Sequence, residues 1–257
     1  MHIIDIQNIT SGYDNRAVIR DISLSGDIGD IIAIIGANGS GKSTLLKTIA
    51  GDIALQKGQI FINEQINSDL KQRQRSQLVA YVEQDALQME MSIYEYVMMG
   101  RTPFRSLFSL TDSQRDREIV NEAINIVGIE HLKNKKLNSV SGGERRLADI
   151  AKAVAQCPKV LLLDEPTANL DLANKVNIIQ LLKALAVKMC VIIVTHDVNE
   201  VLSSANKMLI MRNGECISYG KTEDVANAQN LSNAYNTDIC EITTSEGKKI
   251  LLASGLL

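Results

Sequence analysis

The chain has 257 residues, 45% hydrophobic and 22% charged, with a net charge of −3, which suffices for one large α/β domain or one domain with an inserted lobe. No long basic run is present, which argues against nucleic acid as a partner; the short runs 71–75 and 133–136 suit solvated helix faces or loops. No apolar stretch approaches the ~20 residues that span a bilayer, and the start Met1-His2-Ile3-Ile4-Asp5 lacks a secretory signal, so a soluble chain is expected.

Ile4, Ile6, Ile22 and Leu24 recur at period two, predicting half-exposed antiparallel strands near the start. The continuous apolar run 31–35 reads as a buried strand, followed by a glycine-rich turn and a helix over 42–50. Ile60-Phe61-Ile62 and 78–82 read as further strands. From about 85 to 140 the strand signal is replaced by helical spacing (Tyr94, Val97, Met98, then Ile119, Ala123, Ile126, Val127), which predicts an inserted helical lobe. Strands resume at 160–163 and 191–194 with a helix over 172–188 between them. Residues 207–211, Asn213-Gly214 and 216–219 form a hairpin signature, because Asn-Gly suits the positive φ of a tight turn. Cys157, Cys190, Cys216 and Cys240 show no metal spacing; the first three lie in or beside apolar stretches and are expected to be buried free thiols in a reducing compartment. The fold class predicted is α/β: a mostly parallel sheet, an N-terminal antiparallel β region and the helical lobe, all in one domain over 1–257 with a short tail from about 221.

Gly36-Ala37-Asn38-Gly39-Ser40-Gly41-Lys42-Ser43-Thr44 fits G-x-x-x-x-G-K-[ST], the phosphate loop of P-loop NTPases. The glycines let successive N–H groups converge on phosphate oxygens, and the following helix adds its positive end. Lys42 brings a charge to the β- and γ-phosphates, and the Ser43 hydroxyl can ligate Mg²⁺. The run 160–163 delivers Asp164 and Glu165 at a strand end. Side chains alternate across a strand, so Asp164 can face a metal while Glu165 faces an attacking water as general base; alone, such an acidic pair would also suit a helix cap. His196 follows the strand 191–194, at the carboxyl end where open α/β sheets bind ligands, and so suits a γ-phosphate contact. Gln84 ends the strand 78–82, where its side-chain oxygen can serve a metal shell.

Val140-Ser141-Gly142-Gly143-Glu144 resembles the signature motif of ABC ATPases. With Tyr13, the phosphate loop, Gln84, the run ending in Asp164-Glu165, Ala168-Asn169-Leu170-Asp171 and His196, the resemblance runs through nearly the whole chain in the family's order. It implies ATP and Mg²⁺ as cofactors, with Tyr13 stacking on the adenine. A serine–glycine turn opening a helix makes a second anion site; the resemblance implies that Ser141, Gly142, Gly143 and Glu144 face the ATP of a second copy in a head-to-tail dimer, with Asp171 along the seam. Val140, Ala37 and Arg146 stand where family members often have leucine, proline and glutamine, and Arg146 is expected to alter contacts within the signature helix. Val97-Met98-Met99-Gly100-Arg101-Thr102-Pro103 and Tyr235-Asn236-Thr237-Asp238-Ile239 are similar to segments of the motors of iron-siderophore, haem and cobalamin importers. That resemblance implies an ATPase at the inner face of the cell membrane, energising uptake through a separate polytopic permease, together with a substrate-binding protein. The lobe would receive a coupling helix of that permease, and Met89, Met91, Met98 and Met99 would form either an adaptable docking surface or core filling. Rival readings are a soluble ABC ATPase acting on a macromolecule, which would carry tandem motors or basic arms, and a nucleotide kinase, which leaves 141–144 unexplained.

Overall fold

The computed structural model describes residues 2–84, 89–105, 112–244 and 249–254. Strands β1 (Ile4–Tyr13) and β2 (Arg16–Gly26) pair antiparallel, with Ile6 opposite Leu24, and β1 pairs on its other edge with β4 (Leu55–Ile62), which carries the short β5 (Gln65–Ile66). The period-two pattern sorts the faces as expected: Ile4, Ile6, Ile22 and Leu24 are buried, and Gln7, Asp21 and Ser23 are exposed.

Among the described residues a second, six-stranded sheet has the order β10-β9-β3-β8-β7-β6. Its members are β3 (Ile31–Gly36), β6 (Val79–Val82), β7 (Val160–Asp164), β8 (Cys190–Val194), β9 (Lys207–Arg212) and β10 (Glu215–Lys221). All pair parallel except β10, which returns antiparallel through Asn213 (φ 52°) and Gly214 (φ 82°). Both faces of this sheet are covered, which is why its strands read as continuous apolar runs. Ile32, Ile34, Val160, Leu162 and Ile192 pack with α1 (Lys42–Ala50) and the antiparallel sheet. Ile31, Ala33, Ile35, Leu161, Leu163 and Ile193 pack against the helical side, which includes α5 (Gly142–Ala155), α6 (Leu172–Ala186) and α7 (Val198–Ser204). Each such valine, leucine or isoleucine side chain contributes about 1.5–3 kcal/mol of transfer free energy.

The lobe is helical, with α3 (Ile93–Met98), α4 (Gln114–Val127) and the signature helix α5 packed together; its expected start, 85–88, lies outside the described residues. Ser92 caps α3 in a reciprocal box with Glu95, and Ser113 caps α4. The stretch Met99–Phe104 then binds the lobe internally. Arg101 is buried, with its Nε 2.8 Å from Asp116 Oδ1, a donated bond of 2.7 Å to the Ala155 carbonyl, and Phe104 stacked 3.9 Å away. The methionines divide: Met98 is buried, Met89 and Met91 pack partly against the core, and Met99 is exposed. They therefore supply core filling more than a continuous docking surface.

α2 (Gln72–Leu78) corrects the solvated reading of 71–75 at one residue. Arg75 turns inward and donates to the carbonyls of Asn67 and Leu70 at 2.9 and 3.1 Å. The cysteine expectation fails at Cys157, which is exposed because α5 has ended and the residue adopts φ 52° before Pro158. Cys216 is only half-buried, whereas Cys190 is fully buried and desolvation pushes its thiol up to about 12. The tail holds α8 (Thr222–Val225), α9 (Ala228–Tyr235) and the antiparallel pair β11 (Ile239–Thr243) and β12 (Lys249–Ala253); residues 245–248 and 255–257 of it are outside the described set. Among the described residues no helix is long and apolar enough to cross a membrane.

Gly100 sets the spacing between lobe helices, since a Cβ there would lie 2.2 Å from the Lys152 carbonyl oxygen. Gly100→Ala is expected to destabilise the protein by about 1–3 kcal/mol through overpacking, read as a lower urea midpoint; an unchanged midpoint contradicts this packing.

Candidate active site

The parallel strands β3, β8, β7 and β6 are neighbours, so the loops at their carboxyl ends lie side by side. Those loops carry the phosphate loop, His196, Asp164-Glu165 and Gln84 respectively. Gly36 closes β3 at a point where a Cβ would lie 2.2 Å from the Met211 carbonyl oxygen. α1 starts from Gly41 at φ 97°, with no side chain capping its first N–H groups. Those free donors and the helix dipole make the start of α1 an anion site. Lys42 is buried and folds back over the loop, its Nζ donating to the carbonyls of Gly36 and Ala37 at 2.9 and 3.0 Å. Desolvation lowers its pKa, against the opposing charges of Glu165 and Asp164. The other loop residues, Ala37, Asn38, Gly39, Ser40, Ser43 and Thr44, lie between β3 and the first turn of α1, with Ser43 exposed.

Asp164, the last residue of β7, is buried. Its Oδ2 accepts a 3.4 Å bond from Tyr81, whose phenol is driven up by burial and by the Asp164 charge. Its Oδ1 is buried without a hydrogen-bond partner. An unmatched carboxylate oxygen beside an anion loop fits a hard cation such as Mg²⁺, which takes oxygen donors.

Glu165 leaves the sheet differently from the expectation. Strand alternation does not separate the two acids; Glu165 lies past the end of β7 in a left-handed backbone conformation, φ 48°, its N–H donating 2.9 Å to the Val194 carbonyl. A glutamate with this φ is mildly strained and persists where its surroundings hold it there. The turn directs its carboxylate between two partners: Gln84 Nε2 lies 3.3 Å from Oε2, and His196 Nδ1 lies 3.5 Å from Oε1. Gln84 thus presents its amide nitrogen to Glu165, leaving its oxygen for another ligand. The three line a cavity of about 230 Å³ together with Thr167, Lys175 and Glu200. A larger cavity, about 1030 Å³, lies beneath the C-terminal hairpin and contains none of these groups.

The signature segment begins α5. Ser141 Oγ accepts from the Glu144 N–H at 3.3 Å, and Glu144 Oε2 accepts from the Ser141 N–H and hydroxyl at 2.8 Å each, a reciprocal capping box. Gly142 is exposed, and Gly143 is buried where a Cβ would lie 3.0 Å from the Asn174 amide. Asn174 is held by Asp171, the cap of α6, through bonds of 2.8 and 2.9 Å. Tyr13 ends β1 and is half-exposed, away from any core.

Three features escape a sequence reading. Arg146 does not confine its contacts to its own helix: it is buried and donates to the carbonyls of Glu83 (2.6 Å), Asp164 and Pro166 (3.3 Å). Its departure from the family pattern was the available signal. Tyr81 sits opposite Leu162 on β7, and that register brings its hydroxyl to Asp164. Glu200 is buried, with its pKa raised by desolvation, and accepts a 2.7 Å bond from the Thr167 hydroxyl.

Comparison with known proteins bears on this geometry. The family model described as ABC transporter matches residues 19–168. An uncharacterised ABC transporter ATP-binding protein of Methanocaldococcus jannaschii is 36% identical over 91% of this chain and 81% of its own length. The hemin import ATP-binding protein HmuV of Bordetella bronchiseptica is 28% identical over 97% of this chain and 99% of its own. A solved ABC transporter described as of metal-chelate type, in an inward-facing conformation, superposes with a TM-score of 0.85 at 28% identity, covering 100% of both chains. The cbiO1 protein of Clostridium perfringens, part of the ABC transporter complex cbiONQ, superposes with a TM-score of 0.79 at 27% identity over 90% of this chain and 93% of its own. With a phosphate loop, a strand-end acid pair and a capped signature helix on one such scaffold, the chain belongs to the ABC transporter family, as an ATP-binding subunit that hydrolyses ATP to power transport.

Proposed function

We propose that two copies of this chain sandwich ATP head to tail and drive import of a metal chelate, of the iron-siderophore, haem or cobalamin class, through a separate polytopic permease at the inner face of a membrane. The observation that carries the hydrolytic part is the placement of Glu165 between Gln84 and His196, at the end of the strand that also delivers the buried Asp164. In this reading the backbone of 36–44 and Lys42 hold the phosphates, and Tyr13 stacks on the adenine. Ser43, Gln84 and Asp164 would hold Mg²⁺, which supplies neutralisation of the phosphate charge. Glu165 accepts a proton from the attacking water while His196 steadies the γ-phosphate. The turn at Ser141, Gly142, Gly143 and Glu144, exposed at its first two residues, meets the nucleotide of the second copy, with Asp171 beside the seam.

Support for import of a chelate comes from the hemin-import relative and the metal-chelate-type structure, together with the two sequence segments similar to such motors. The first of those segments is an internal staple around Gly100 and Arg101. The surface left for a permease helix is therefore the adjoining groove, about 800 Å³, lined by Tyr94, Glu95, Met98, Met99, Thr102 and Arg105. A substrate-binding protein would complete the system.

Glu165→Gln is expected to lower turnover by roughly 10²- to 10⁴-fold and to accumulate ATP-bound pairs in light scattering; unchanged turnover removes Glu165 from the base role. Lys42→Ala removes a charged phosphate contact worth about 1.5–3 kcal/mol, so ATP affinity or turnover falls by roughly 10- to 100-fold, and a normal titration with a normal rate contradicts its assignment. Affinity purification from membranes is expected to recover a polytopic protein; a stable ribosome or DNA complex instead overturns the transport reading in favour of a macromolecular substrate.

A further inference from the structure

We propose that Arg146 is a positioning residue that braces the turned-out Glu165 and the adjoining Gln84 from the signature helix. The inference rests on the assignment of Glu165 as the group that activates water. Glu165 occupies a left-handed backbone conformation, φ 48°, which is uncommon for a residue with a Cβ and mildly strained. Its own N–H is tied to Val194. The carbonyls on either side, those of Asp164 and Pro166, are both held by the Arg146 guanidinium. The same guanidinium reaches the Glu83 carbonyl at 2.6 Å, immediately before Gln84. One side chain of α5 therefore pins the peptide entering the proposed base, the peptide one residue beyond it and the peptide preceding the glutamine that contacts it.

Arginine suits this role because its planar fork offers five N–H donors in fixed directions, so carbonyls from different strand ends can be bound at once. The guanidinium is buried, so water does not compete for these acceptors. Burial works against its charge, whereas the carboxylates of Asp149 and Asp164 work for it. Lysine would bring the charge without the fork, and glutamine or methionine would lose the charge and most of the donors. The surroundings on the other side of α5 are polar as well: Asp149 accepts 2.6 Å from Tyr96 of α3, and Lys152 donates 2.9 Å to the same phenol oxygen. Arg146 is the member of this set that reaches the hydrolytic loops.

The test uses Arg146→Met and Arg146→Lys in the full chain, with three readouts: steady-state ATP hydrolysis, ATP binding by equilibrium titration, and hydrogen exchange of the amides of Glu165, Thr167 and Ala168. Both variants are expected to lose roughly 10- to 100-fold in kcat, the penalty for a misplaced reacting group, with ATP affinity within about twofold of the parent. Amide exchange at Glu165 and Ala168, whose N–H groups bond Val194 and Glu165, is expected to accelerate, and exchange in α1 to stay unchanged. Unchanged kcat and unchanged exchange overturn the proposal. So does a loss of ATP affinity and global stability in step with activity, or a failure of both variants to fold, because either result makes Arg146 a general fold determinant. Should Glu165→Gln leave turnover intact, the base assignment fails on its own, whereas the exchange result still reports whether Arg146 braces the turn.

Discussion

Two adjacent carboxylates at the end of one strand must be sent to different places, and the backbone of this chain does so by turning Glu165 left-handed. Asp164 stays with the sheet, buried, with one oxygen accepting from Tyr81 and the other unmatched. Glu165 leaves it and reaches the space between Gln84 and His196. The proposed mechanism depends on that division, because a cation ligand and a water-activating base cannot share one position. The turn is costly on its own, of order 1 kcal/mol or more, and persists because the hydrogen bond of the Glu165 N–H to the Val194 carbonyl of β8 and those donated by Arg146 fix the peptides around it.

The sheet order makes those bonds possible. Placing β3 beside β8, and β7 between β8 and β6, brings four loops to one edge although they are separated by up to about 160 residues of sequence, from Gly36 to His196. The same order leaves both sheet faces to be buried, one by α1 and the antiparallel β region, the other by the lobe and α5. The signature helix is thus packed where it can both present Ser141 and Gly142 outward and send Arg146 inward. A helix in that position connects its exposed N-terminal end to the loops of the proposed hydrolytic site, through covalent backbone and one buried side chain.

Much of this is legible in the sequence, for physical reasons. Residues that act through backbone geometry at short range declare themselves: the glycines of 36–41, the Asn-Gly turn at 213–214 and the continuous apolar runs of β3, β7 and β8 all read correctly. The fold class, the two sheets and the helical lobe follow from periodicity and length. What stays hidden depends on partners far away in sequence. Arg146 meets Glu83 and Asp164 only after β6 and β7 have paired, and Arg101 reads as part of a family segment until its burial against Asp116 is seen. The direction of Glu165 was anticipated, but from strand alternation, whereas the cause is a left-handed residue beyond the strand. Cys157 shows the limit of apolar context as a guide to burial, since the helix before it stops two residues short.

The claim that the position of the Glu165 carboxylate decides hydrolysis is tested most directly by Glu165→Asp, which keeps the charge and withdraws the carboxylate by one methylene. The measurement is the single-turnover rate of ATP cleavage at saturating nucleotide, alongside ATP affinity. The account predicts a large fall in rate at unchanged affinity, because the shorter side chain no longer reaches between Gln84 and His196. A rate equal to that of the parent chain would contradict it.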